Sequence, residues 1–205
     1  MLEVLLTLRP RRLVHAQRPY ERIGDLCKLI ERAKQELISA PEFTRWAATI
    51  TATDDPALEA QVEAAAVYAA YQDRLLAENR LDFDDTIFYS AQLLNDEPSV
   101  ARRQGARFEQ VMVDEFQDTN YAQSRLLERL SASHRNLCVV GDDDQSISKF
   151  RGASVANLRR FQPMLPEAAM IRLEENYLSR GPTLRPADRL NQENEPRPGE
   201  GGASP

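Results

Sequence analysis

Apolar side chains recur at helical spacing over residues 20–40, at Ile23, Leu26, Cys27, Ile30, Ala33 and Leu37. This stripe predicts a helix with one face turned inward. Pro41 and Glu42 open a break. Asp54-Asp55-Pro56 has the form of a helix start, an acidic cap followed by proline in the first turn. The helix it opens is expected to run to about Asn79, with Leu58, Val62, Ala65, Ala69 and Leu76 on one face. A second start comes at Leu81-Asp82-Phe83-Asp84-Asp85. Asp82 can cap, and the carboxylates behind it suit the positive end of a helix. Ile87, Phe88, Ala91 and Leu94 then mark its inner face.

The texture changes near Arg107. Gln110-Val111-Met112-Val113 is short and largely apolar, and ends in Asp114-Glu115. Leu126, Leu127 and Leu130 mark a helix after it, and Leu137-Cys138-Val139-Val140 is a second apolar run, ending in Gly141-Asp142. Two apolar strands joined by a helical crossover predict a βαβ unit of a parallel sheet. Residues 169–173 are expected to add a third strand, after a short helix over 155–161. From Pro186 the chain holds little apolar bulk and much proline and glycine, and residues 191–205 read as a disordered tail. There are no internal repeats.

The composition, 42% hydrophobic and 28% charged over 205 residues, is that of a globular chain of ordinary domain size. No apolar run is long enough to cross a bilayer. At the N-terminus an acidic residue comes early and the arginines come after the apolar stretch, the reverse of a secretory signal. Cys27 and Cys138 lie in apolar patterns, which predicts two buried thiols in a reducing cytoplasm. The net charge of −6 counts mildly against nucleic-acid binding. Local basic clusters, which are what phosphates feel, lie at Arg9, Arg11, Arg12 and Arg18, at Arg102, Arg103 and Arg107, and at Lys149, Arg151, Arg159 and Arg160.

Both expected strands end in acidic residues, and in open parallel sheets ligands bind beyond the carboxyl ends of the strands. Asp114 can hold Mg²⁺, a cation that prefers hard oxygen ligands and keeps much of its water. Glu115 can orient and deprotonate an attacking water. Acidic strand ends are also common on solvated edges, so the pair alone does not identify a site.

The longer strings do. Val113-Asp114-Glu115-Phe116-Gln117-Asp118-Thr119-Asn120 resembles the Walker B motif of UvrD/Rep/PcrA-type superfamily 1 DNA helicases. Gly141-Asp142-Asp143-Asp144-Gln145-Ser146-Ile147, with Phe150-Arg151-Gly152-Ala153, resembles their next motif. Leu173-Glu174-Glu175-Asn176-Tyr177 resembles the start of the motif leading out of the first motor domain, and residues 81–85 resemble the segment before Walker B. The resemblance spans roughly Ile23 to Asn194. It implies an α/β fold, an incomplete P-loop NTPase (RecA-like) parallel sheet with a helical subdomain. The implied division is 1–80 for the helical subdomain, 81–190 for a partial motor core with Walker B, and 191–205 for the tail. It further implies ATP and Mg²⁺ as cofactors, with Asp114 the metal ligand and Glu115 the catalytic carboxylate. Gln145 would touch the γ-phosphate, Tyr177 would stack on adenine, and Phe150, beside Arg151, would stack on a base of single-stranded DNA. The implied activity is ATP-dependent unwinding, 3′ to 5′.

The pattern also departs from the family. None of the eight glycines is followed by lysine, so the Gly-Lys-Thr/Ser loop that grips phosphates is not within these residues. Ser148 stands where the family has tyrosine, and Leu178 where it has a phosphate-contacting arginine, while Pro186 and Asn191 interrupt an expected apolar helix. The expectation is therefore a truncated helicase without autonomous ATPase activity, its sheet left with unpaired strand edges. The alternative is a non-enzymatic remnant that binds single-stranded DNA or a protein partner. A complementary helicase fragment or a repair protein is the expected partner, and no membrane. An internal piece of an exonuclease-coupled helicase and an unrelated Mg²⁺-dependent hydrolase are the further readings.

Overall fold

The computed structural model describes residues 1–8, 10, 13, 23–50, 55–142, 161, 165–173, 175 and 177. Two compact units divide the chain, Met1–Phe161 and Gln162–Pro205. The first is mostly helical. It comprises α1 (Leu2–Leu8), α2 (Ile23–Gln35), α3 (Ala40–Ala48), α4 (Pro56–Ala77), α5 (Phe83–Asp96), α6 (Pro98–Gly105), β1 (Val111–Val113), a single 3-10 turn (Phe116–Asp118), α7 (Tyr121–Ser131) and β2 (Leu137–Val139).

The helix starts are set by their caps. Asp55 caps α4 through its side chain, which accepts from the Ala57 N–H at 2.8 Å, with Pro56 in the first turn. Asp82 and Asp85 form a reciprocal capping box on α5, with bonds of 2.9 and 3.1 Å. Asn120 and Gln123 do the same for α7. The break expected at Pro41 is shorter than the sequence suggested. Leu37 takes a left-handed conformation (φ 57°), and Ser39 then caps a new helix, α3, in which Pro41 occupies the first turn. Proline lacks an N–H that this position does not need, so it starts the helix instead of ending one.

Two apolar clusters hold the helices together. Val4, Leu5, Leu13, Leu26, Ala64 and Val67 form one, and Ile30, Ala33, Ala40 and Tyr68 the other, with Phe43 packed against it. The α4 face that is buried is centred on Ala64, Ala65, Val67, Tyr68 and Gln72. Leu58, Val62 and Ala69 are only half-buried and Leu76 is 50% exposed, so the buried face is rotated from the expected stripe. Polar Tyr68 and Gln72 carry the inward face, which a purely apolar pattern cannot register. Cys27 is exposed and Cys138 half-buried, which corrects the expectation of two buried thiols. Cys27 lies beside Leu26 on α2, one helical step off the buried line of Leu26 and Ile30.

The β1 and β2 strands pair in parallel, Val111 with Leu137, Met112 with Cys138 and Val113 with Val139, and α7 is the crossover between them. Among the described residues the sheet has these two strands. The third strand expected over 169–173 is not formed. Its Met170, Ile171 and Leu173 are strongly exposed, and among the described residues no ladder bonds its backbone. An apolar run becomes a strand only where a neighbouring ladder accepts its N–H and C=O groups. In the second unit Leu165 is buried and accepts from the Ala168 N–H at 3.0 Å, closing a turn. Of the helix expected over 155–161, only Phe161 lies within the described residues, and it is helical. No described helix is long and apolar enough to cross a membrane.

Candidate functional site at the strand tips

Backbone pairing continues past the ends of both strands and fixes the loops beyond them. The Val140 N–H donates to Val113 O at 2.8 Å, and the Phe116 N–H donates to Val140 O at 2.9 Å. Between these bonds the chain reverses through Glu115, whose backbone is left-handed (φ 51°, ψ 42°). A non-glycine residue held there costs on the order of 1–3 kcal/mol, so the surroundings must over-determine it. They do. The Glu115 N–H donates to Asp114 Oδ1 at 2.9 Å, and Glu115 O accepts from the Asp118 N–H at 2.9 Å. Phe116 is buried and meets the Phe161 ring edge-to-face at 5.8 Å.

Asp114 and Glu115 are both exposed beyond the end of β1. Gln117, by contrast, is 1% exposed and joins the two tips. Its Nε2 donates to Glu115 Oε2 at 2.6 Å, and its Oε1 accepts from the Asp142 N–H at 3.0 Å. The acidic residues after β1 and after β2 are therefore brought to one edge of the sheet. Gln145, Phe150 and Arg151 lie outside the described residues. Tyr177 belongs to the second unit, where it is 86% exposed and its hydroxyl donates to Glu175 Oε2. That bond raises the Tyr177 phenol above its ordinary range.

A second polar cluster occupies the helical part of the first unit. Lys34, on α2, is 1% exposed and contacts Asp82 Oδ2 at 2.6 Å and the fully buried Asp85 Oδ1 at 2.8 Å. Its ammonium lies 5.4 Å from the Tyr71 ring centre and 6.0 Å from that of Tyr68. Tyr71 donates to Asp82 at 3.1 Å, and Gln72 donates to both Asp85 oxygens and to Tyr89. Burial raises the Asp82 carboxyl, but the Lys34 hydrogen bond, the Asp85 backbone contact and the Lys34 charge outweigh it, and the net shift is downward. Tyr71 is pushed up, by burial first and then by the neighbouring Asp82 charge. This cluster pins α2 to the capping box of α5. Sequence reasoning assigned Lys34 no role, although it continues the line Leu26–Ile30 at a spacing of four. Gln117 stands inside a recognisable motif string, but nothing in that string gives it a role either.

The donor chemistry at the strand tip suits one part of a nucleotide site. Asp114 offers exposed, hard carboxylate oxygen, as a water-shelled Mg²⁺ requires. No described group of three or more His, Cys, Asp or Glu side chains forms a closed metal cage. The chain itself has no Gly-Lys loop to cradle a triphosphate.

The described residues thus give a mostly helical unit with a parallel strand–helix–strand piece whose acidic loops lie at adjacent strand tips. The model of the UvrD/REP helicase N-terminal domain matches residues 6–166, and the chain belongs to that family. It is 44% identical over 131 residues to the ATP-dependent DNA helicase PcrA of Bacillus subtilis, covering 64% of this chain and 18% of the relative. It is 39% identical over 143 residues to DNA helicase II of Rickettsia typhi, covering 70% and 22%. PcrA of Staphylococcus aureus is 42% identical over 133 residues, covering 65% and 18%. The chain thus spans about a fifth of the length of these relatives.

Proposed function

We propose that these residues form the Walker B side of an ATP-driven DNA helicase motor with 3′ to 5′ polarity. In this reading β1 and β2 are flanking strands of a P-loop NTPase (RecA-like) sheet. Residues 1–80 are its helical subdomain, 81–190 the partial motor core and 191–205 a tail. The observation that carries it is the joining of the two strand tips, Glu115 being linked through Gln117 to the Asp142 backbone. Bound ATP and Mg²⁺ would supply the phosphoryl group and the charge that holds it. Asp114 would hold the metal, and Glu115 would orient and deprotonate the attacking water. Gln145 would report on the γ-phosphate, Tyr177 would stack on adenine, and Phe150 with Arg151 would hold single-stranded DNA. Phosphoryl transfer is mostly positioning and charge stabilisation. Without a phosphate loop the 205 residues by themselves are expected to give no ATP turnover, with or without single-stranded DNA. Turnover that depends on DNA and disappears on Glu115→Gln would overturn this.

A second reading, a non-enzymatic module that binds single-stranded DNA or a protein partner, is favoured by exposed Arg102 and Arg103 at the end of α6 and Arg107 just after it. Filter binding at low ionic strength tests it. Retention of single-stranded DNA that falls steeply with salt supports it, and no retention removes DNA as the ligand. A complementary helicase fragment or a repair protein is the partner class on either reading.

A further inference from the structure

The geometry points to Gln117 as a positioning residue, a two-ended strap that fixes the Glu115 carboxylate and ties it to the loop after β2. This rests on the functional reading above for its significance, but not for its test. Three observations support it. Gln117 is 1% exposed, so its amide does not exchange its partners for water without cost. Both ends of that amide are used, and with opposite polarity: Nε2 donates to Glu115 Oε2 at 2.6 Å and Oε1 accepts from the Asp142 N–H at 3.0 Å. A carboxamide offers both a donor and an acceptor on one rigid plane without any change of protonation state. Finally, Glu115 stands on left-handed backbone, which swings its side chain out of the line of β1, so its carboxylate needs an anchor beyond the strand itself.

The consequence is mechanical. The Glu115 carboxylate and the Asp142 backbone cannot move apart without breaking one of the two bonds. A shift of the Asp142 backbone is therefore passed to the carboxylate expected to activate water. The strap holds Glu115 toward the protein when no reacting group competes for it. It also makes the two acidic loops respond as one body.

The test uses the complete 205-residue chain, isotope-labelled, without nucleotide. Amide exchange and chemical shift are read at Asp142 in the wild type and in Gln117→Met, Gln117→Glu and Glu115→Ala. Gln117→Met removes both ends and is expected to speed Asp142 exchange about tenfold, the worth of one net hydrogen bond. Gln117→Glu keeps the acceptor but sets a carboxylate against Glu115, so Asp142 stays protected. Glu115→Ala is expected to move the Asp142 amide resonance in the wild type and to leave it unmoved in the Gln117→Met background. Unchanged Asp142 protection in Gln117→Met, or a Glu115→Ala shift that persists there, overturns the strap. If Gln117→Met does not fold, the same comparison in Gln117→Leu, which also lacks both ends of the amide, decides, and persistence of the shift again overturns it. Because no ATP is present, failure here removes the strap alone. An intact strap in a completed motor that proves inert removes the functional reading instead.

Discussion

Replacing Lys34 by methionine keeps most of the aliphatic stem and removes a charge that two aspartates surround. In the folded chain the ammonium contacts Asp82 at 2.6 Å and Asp85 at 2.8 Å. Asp82 is a quarter exposed and keeps the Tyr71 hydroxyl, so water and that bond absorb part of its loss. Asp85 is fully buried, and after the change its charge is left with neutral donors, chiefly Gln72. Removing one partner of a buried pair costs about 3–5 kcal/mol, most of it from the carboxylate left behind. With a urea dependence of about 2 kcal/mol per molar, the midpoint of helix loss by circular dichroism should fall by about 2 M. Adding Asp85→Asn neutralises the orphan and should recover about 1–3 kcal/mol. A midpoint that moves by less than about 0.5 M, or a double variant weaker than Lys34→Met alone, would refute the claim that this charge cluster pins α2 to α5.

The remaining predictions use other parts of the fold. Because the folded Asp82 carboxyl is depressed, its contribution is complete above its unfolded value near pH 4 and is lost as pH falls through the lower folded value. The wild-type chain should therefore lose stability more steeply than Lys34→Met below about pH 4, as urea midpoints at successive pH values will show. A Cβ on Gly105 would meet Leu130 O at 2.4 Å, so Gly105→Ala should force α6 from α7 and cost about 1–3 kcal/mol in the same assay. Asn120→Ala removes the α7 capping box and should cost about 1 kcal/mol. The sheet, two-stranded among the described residues, with Met112 69% exposed on β1 and Val140 46% exposed just past β2, should give the chain a broad thermal transition and a tendency to aggregate. A sharp two-state melt of a monodisperse sample contradicts that.

What the sequence disclosed was mostly what local chemistry decides. Asp55-Pro56 and Asp82 announce their helices because a cap and a first turn involve only neighbouring residues. The two short apolar runs pair in parallel as their crossover length requires. Tertiary choices were less visible. Residues 169–173 have the composition of a strand but do not form one. Pro41 looked like a break because a helix start and a helix end both tolerate proline nearby. Leu76 and Cys27 kept the helical period but fell at the edge of the buried face. At the candidate site, the exposed position of Asp114 and Glu115 beyond β1 followed from the apolar run before them. Gln117 was not legible, because its role depends on Asp142, which lies 25 residues away and is brought near only by the β1–β2 register. Lys34 could have been noticed, as a lysine set on an apolar line with acidic caps still to be satisfied.

The most direct measurement replaces the matching stretch of the Bacillus subtilis PcrA relative with these residues and monitors ATP hydrolysis with single-stranded DNA present. If the β1 and β2 tips serve one magnesium-bound triphosphate, the chimera turns over ATP, responds to DNA, and loses at least about a hundredfold in rate on Glu115→Gln. A folded chimera that is inert, or one indifferent to Glu115→Gln, contradicts the assignment.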